Sequence, residues 1–380
     1  MQVEEVHFNH DPSSMSFDAI TIRKSQSGNP IQAPEWKRGL PPQPAAYAAA
    51  PLGTTVTIKA RFSGGKPDSA VKIRAVDAWV PPATPMGCLG WLIWIISNLI
   101  RALFGNVLGD AHSQMISFDG AGNSGLVTFT LVNHKLKSSG VGIRTTDWKW
   151  QYHHHKWHTF DTTQHKIYLI LDVPNGPWNQ NAGNNTQLPW TDALDKACLW
   201  ALGAQTKDEA AGKITIAVNT QPNQSYTPST LFGFGTYYLS SYINQLNGGA
   251  PFQLNCTDCA DAVTTFSNLL GCDLWEGRLF DMITRKFLTL NGNPSVEADW
   301  VSWSWGYHEI CWLHQLGQFE LIYDGCLQVD MDDNYGDLVH VAKHPVKMRF
   351  GLSDPNDYRY RLIQSGNGNL ENIPRRRAVA

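Results

Sequence analysis

Neither sign of charge dominates this 380-residue chain: 30 Lys and Arg stand against 33 Asp and Glu, for a formal net charge of −3. Without a global positive excess there is no electrostatic case for nucleic acid as a partner. Long apolar runs are scarce too. The most apolar stretch, residues 86–108, is uninterrupted only from 86 to 96, short of the roughly 20 residues that a bilayer-spanning helix needs. The opening MQVEEVHFNHDPSS is acidic and has no apolar centre, so it does not read as a secretory signal. Cysteines number seven, an odd count that fits free thiols in a reducing compartment better than a disulfide framework. These absences predict cytoplasmic synthesis; a specialised export route would leave no mark in the sequence. No set of His, Cys and carboxylates has zinc or calcium spacing, so neither metal nor cofactor is expected.

What is present is a large apolar fraction, 42%, enough to bury two cores. From Thr54 the chain runs in short β-branched or aromatic segments, TTVTIKARF, AVKIRAVDAW, GLVTFTLV, GVGIRTTDWKW and HKIYLILDV, separated by Gly-rich turns. They predict an antiparallel β-sandwich within residues 1–174. Residues 86–108 interrupt it as an apolar insertion, read either as a membrane-surface or partner-docking helix or, with better support from the flanking prolines, as a packed core helix. The run QYHHHKWH, residues 151–158, reads as an exposed aromatic–basic loop. Residues 175–189 are an Asn/Gly/Pro linker. Helical signals follow, including the capping box Thr206–Glu209, then strands, an α+β order for residues 190–353. Residues 354–380, with Arg375, Arg376 and Arg377, read as a disordered tail.

Chemistry concentrates at PFQLNCTDCADAVTTFSNLLGCDLW, residues 251–275. Asn255 is a good N-cap, and Ala262, Val263, Phe266, Leu269 and Leu270 recur at helical spacing up to Gly271. Cys256 therefore opens a helix, where unpaired amides and the dipole favour a thiolate and could hold an oxyanion. A structural core cysteine fits this stretch equally well. Further on, GYHEICWLHQLGQFELIYDGCLQVD reads as a hairpin around Gln315-Leu316-Gly317. Centred on Leu316, it places His308 opposite Asp324 and Ile310 opposite Ile322; a glycine bulge would shift the pairing by one. Nucleophile, base and orienting carboxylate are then all present. His314, the rival base, falls beside the loop with no carboxylate across the strand.

The set Cys256-Thr257-Asp258-Cys259-Ala260, a helix ending in Leu270-Gly271, His308, and Tyr323-Asp324 resembles the transglutaminase-like cysteine hydrolase superfamily, over roughly residues 189–351. The resemblance implies a papain/transglutaminase-like catalytic domain, helices packed on an antiparallel sheet. Cys256 would be its nucleophile, His308 its general base and acid, and Asp324 its orienting carboxylate. Leu254 and Thr257 depart from the family's Gly two before the Cys and, in animal enzymes, Trp after it. Those departures leave the choice of water or amine as acceptor open. Gln253 and Asn255 are candidate oxyanion or substrate contacts, and Trp303 and Trp305 a candidate aromatic wall. The expected activity is hydrolysis of an amide or peptide bond in a protein or peptide substrate, through a thioester. Alternatives are a glutamine deamidase or transamidase effector, and an inactive binding scaffold.

Overall fold

The computed structural model describes residues 1–10, 19–49, 55–78, 107–132, 136, 140–178, 181–182, 185–314, 320–334, 337–371 and 373–380. The apolar insertion, except for Val107 and Leu108, lies outside these residues, as does the loop 315–319. No helix among the described residues is long and apolar enough to cross a membrane. The chain divides into two compact units, Met1–Val173 with Leu188–Gln205, and Pro174–Gln187 with Thr206–Ala380.

The first unit is built on nine strands: β1 Gln2–His7, β2 Trp36–Lys37, β3 Ala45–Ala48, β4 Thr55–Ser63, β5 Ala70–Asp77, β6 Ala111–Ser117, β7 Val127–Val132, β8 Gly142–His154 and β9 Lys156–Ile170. They pair in the order β2-β1-β4-β7-β6-β5-β8-β9-β3. Phe62 on β4 and Trp150 on β8 nevertheless have ring centroids 5.3 Å apart. Four flat strand spacings would separate them by about 19 Å, so the sheet curls over its own core. β6 and β7 share a single pair, Ala111 with Leu131, and the edge pair β3–β9 is parallel, where the expected sandwich was antiparallel throughout. Along β8 the period-two alternation turns Trp148 and Trp150 inward. The histidine run, expected as a loop, instead extends β8 and β9 into a hairpin. His154 pairs with Lys156, and His155 takes the left-handed φ of 61° at the tip. Cross-strand pairing of the long aromatic-rich arms carries the strands past the point where the polar composition suggested a loop.

Helix α1, Thr191–Trp200, groups with this first unit, although the composition change at 190 suggested it opens the second. Its Asp195 takes hydrogen bonds from Lys166 Nζ (2.7 Å) and the Tyr168 hydroxyl (2.7 Å) of β9.

In the second unit α2, Lys207–Thr220, starts as the sequence suggests, with the Thr206 side chain accepting from the Glu209 amide. Next come β10 Gln224–Tyr226, β11 Gly233–Phe234, β12 Thr236–Tyr237, α3 Leu239–Gly248, β13 Phe252–Leu254 and α4 Cys256–Leu269. An antiparallel sheet follows: β14 Leu274–Thr284, β15 Ser304–Trp305, β16 His308–Leu313, β17 Leu321–Tyr323, β18 Val346–Arg349 and β19 Ile363–Leu370. This is a mixed helix-and-sheet architecture. Residues of the expected linker pack on α4: Trp178 Nε1 donates to the Thr265 carbonyl at 2.8 Å, and Asn175 Nδ2 to that of Cys272 at 2.6 Å.

Two expectations need correction. The β16–β17 register pairs Cys311 with Tyr323 and Trp312 with Ile322. Ile322 thus faces Trp312, two residues beyond the expected pairing with Ile310. The strands stop at Leu313 and resume at Leu321, further apart than a three-residue turn would set them. The carboxy-terminal residues are also structured. They form α5 Tyr358–Leu362, β19 and β20 Ala378–Val379, the last parallel to β12. Arg375, Arg376 and Arg377 all find acidic partners, which composition alone cannot reveal.

The aromatic core of the first unit should dominate its stability. Trp150→Ala removes a fully buried ring that contacts Phe62, Phe129 and Trp148. It is expected to lower the unfolding free energy by about 3–5 kcal/mol, measured by urea denaturation with unchanged m-value.

Candidate active site

Helix α4 begins with a capping box. The Asn255 side chain accepts from the Asp258 amide (3.0 Å), and the Asp258 carboxylate accepts from the Asn255 amide (3.1 Å). Asp258 also accepts from the amides of Leu231, Phe232 and Gly233, pinning that loop against the helix start. With Asp258 and Cys259 amides satisfied, those of Cys256 and Thr257 have no acceptor among the described residues. They are the orphan donors that every helix N-terminus leaves. Cys256 sits between them, buried, with 4% of its surface exposed.

His308 opens β16 and is fully buried. Its Nε2 lies 2.8 Å from Asp324 Oδ2. Asp324 just follows β17, so it reaches the ring from the strand end, whereas the expected register would have set it directly opposite. Its carboxylate is held from two other directions, by the Tyr358 hydroxyl (2.7 Å) and the Cys326 amide (2.8 Å). The Trp305 ring stacks on the imidazole, centroids 4.4 Å apart at 17°. The remaining ring nitrogen, Nδ1, has no hydrogen-bond partner at normal length, and Cys256 is the thiol that interacts with the ring. Burial is the largest influence on His308 and disfavours the imidazolium. The charge and hydrogen bond of Asp324, with a smaller contribution from Cys256, outweigh it and raise the pKa from 6.5 to about 10. For Cys256 burial wins. It pushes the thiol up, against the opposing influence of His308 and of the Glu309 amide, which donates to the sulfur. The helix-start argument for a depressed thiol is overridden by desolvation in the resting protein.

The site opens into a cleft of about 510 Å³ lined by Tyr226, Pro228, Asn255, Cys256 and residues 303–307, with no charged side chain. Trp303 packs against Tyr226 (4.7 Å) and Trp305 (5.8 Å), so one tryptophan walls the cleft and the other covers His308. Asn255 borders the cleft and its side-chain nitrogen has no acceptor among the described residues. Gln253 is exposed on β13 and does not line the cleft. His314 is exposed and does have a carboxylate near, Asp273 at 3.2 Å, supplied by the residue before β14 and not by the facing strand. Tyr358 went unnoticed in the sequence. A tyrosine 34 residues beyond Asp324 carries no local signal of contact with it.

Comparison with solved structures finds a likeness to the transglutaminase of red sea bream, 11% identical, with a TM-score of 0.38, covering 80% of this chain and 53% of that one. The chain thus spans about half the length of that protein. No family model and no curated protein matches the chain. So distant a likeness leaves function to the geometry of the site itself.

Two outcomes test that geometry. Because the folded-state pKa of His308 lies above its unfolded value, its stabilising contribution is complete below about pH 6.5 and fades as pH rises toward 10. Asp324→Asn should therefore cost about 3–5 kcal/mol at pH 6 and clearly less at pH 10, by urea denaturation at the two values. Tyr358→Phe leaves one carboxylate lone pair unsatisfied. It should cost about 1–3 kcal/mol by the same assay at pH 7.

Proposed function

We propose that the protein catalyses cysteine-dependent acyl transfer, with hydrolysis of an amide or peptide bond as its reaction. The observation that carries this reading is the buried His308, bonded through Nε2 to Asp324 at 2.8 Å and near enough to the Cys256 thiol to be influenced by it. A buried imidazole with a carboxylate on one nitrogen and a helix-start thiol nearby is the set of groups that nucleophilic catalysis by cysteine uses.

In the proposed reaction, His308 stands as the imidazolium, as its raised pKa requires; Cys256 gives its proton to solvent, and the thiolate attacks the substrate carbonyl. The positive ring that Asp324 sustains opposes the effect of burial on the thiol and favours this ionisation. The free amides of Cys256 and Thr257, with the Asn255 side-chain nitrogen, are candidate donors to the oxyanion as it forms. Collapse of the tetrahedral adduct breaks the C–N bond, and the imidazolium donates its proton to the departing amine. Water, deprotonated by the now neutral His308, resolves the thioester, releasing the Cys256 thiolate and restoring the imidazolium. Asp324 keeps Nε2 protonated throughout and, with Trp305 stacked on the ring, limits its rotation. The uncharged aromatic cleft suits a substrate that is neutral around the scissile amide. With an amine in place of water, the same site would act as a transamidase.

Incubation with a peptide-amide library, acid quench and mass spectrometry should find an acyl adduct on Cys256. Cys256→Ala should abolish the adduct, and His308→Ala should slow its formation by at least about 10³-fold. Adducts distributed over other cysteines, or none at any pH from 6 to 10, would refute the reading.

A further inference from the structure

Immediately beside Cys256 and His308 in sequence stand Thr257 and Glu309, and these two are also paired. Thr257 Oγ1 donates to Glu309 Oε2 at 2.7 Å, and both residues are buried. The pair ties the first turn of α4 to β16 one residue from each reacting group. Glu309 must itself be held, because a buried carboxylate without a cation is unstable. Its other oxygen, Oε1, accepts from Arg377 Nη2 at 2.7 Å. Arg377 also reaches Asp261 on α4 (Nη1–Oδ1, 2.8 Å) and Glu276 on β14 (Nη1–Oε1, 2.9 Å). One guanidinium thus bridges the helix, the histidine's strand and the strand next to it. Its rigid fork of donors suits it to this, where a lysine would offer a single point charge.

The segment that carries Arg377 is fastened on both sides. Before it, Arg375 exchanges backbone hydrogen bonds with Glu276 (2.9 and 3.1 Å), and the Arg376 guanidinium lies 3.8 Å over the Trp275 ring. After it, Ala378 and Val379 pair with Thr236 and Tyr237.

We propose that Arg377 is a positioning residue, and that it fixes the distance between Cys256 and His308 through Glu309 and Thr257. The carboxy-terminal strand is then a clamp on the reacting pair. Loss of the clamp lets α4 drift from β16 and takes the sulfur away from the imidazole while leaving the His308–Asp324 contact in place. The charged groups facing Glu309 are Arg377 and Arg375 from the terminal segment, Arg278 and Glu276 from β14, and Asp261 from α4. The clamp acquires its meaning for catalysis from the acyl-transfer reading, but it can be measured without turnover.

The test follows the His308 imidazole by NMR titration, assigned through the signal lost in His308→Gln. Cys256→Ala sets the scale, since it removes the sulfur's contribution and should lower the titration midpoint. Arg377→Met strands three carboxylates and risks misfolding, so the decisive variant is Thr257→Val, which cuts the link without baring a charge. Thr257→Val should lower the midpoint by at least half the Cys256→Ala shift, Arg377→Lys should lower it in the same direction, and Thr257→Ser should restore the parent value. If Thr257→Val and Arg377→Lys, folded by circular dichroism, titrate like the parent, the clamp is wrong. A failed acyl trapping experiment with these shifts intact would instead overturn the catalytic reading and leave the clamp standing.

Discussion

Helix α4 is buried along its whole length, although five of its fourteen residues are Thr, Ser or Asn and two are Asp. Burial of polar groups is costly unless each finds a partner, and that requirement organises the second unit. Asp258 collects four backbone amides from the loop 231–233 and the N-cap. Thr257 is satisfied by Glu309, Asp261 by Arg377 and Thr264 by Cys311. Asn268 bonds the carbonyls of Gly176 and Leu274. Partners arrive from segments as distant in sequence as 176 and 377, so the helix is the hub around which loop, sheet and terminus close.

The same constraint shapes the candidate site. Because α4 is buried, Cys256 is buried with it, and desolvation raises its thiol where an exposed helix start would lower it. The imidazole next to it experiences the same desolvation, but Asp324, itself held by Tyr358 and Cys326, reverses the outcome for His308. Both groups are therefore shifted upward, Cys256 by burial and His308 by the charge of Asp324, so the imidazole holds its proton at neutral pH beside the thiol. The cleft lined by Tyr226, Pro228 and residues 303–307 reaches Cys256. The sheet supplies rigidity, since β14 pairs with β16 over six residues from Leu274 to Leu279 and fixes His308 at its end.

Buried charge has a second consequence. Asp261 and Glu276 share one donor nitrogen of Arg377, while Asp261 Oδ2 and Glu276 Oε2 are buried with no other donor, so the two carboxyls bond to each other. Burial raises the pKa of both carboxyls. Glu309, which the arginines and Thr257 serve more fully, has its pKa lowered although burial opposes this. The cluster thus sorts three chemically similar carboxyls into different roles by the number of donors each receives.

Local chemistry was legible from the residues alone. The N-cap Asn255, the helix opening at Cys256, the Thr206 cap and the alternating strands that carry Ile58, Phe62 and Trp150 all depend on neighbours within a few positions, which a sequence displays directly. The nearness of His308 to Asp324 was also legible, although through a register two residues off, because strand alternation fixes which face a residue takes and not which partner it meets. What lay beyond reading were contacts whose partners are far apart in the chain. Tyr358 on Asp324, Trp305 flat on His308 and Arg377 among three carboxylates exist only because the sheet and the terminal strand bring them together. Burial likewise belongs to the whole fold, and it was burial that set the protonation of Cys256 and obliged an apparently loose basic tail to become part of the core.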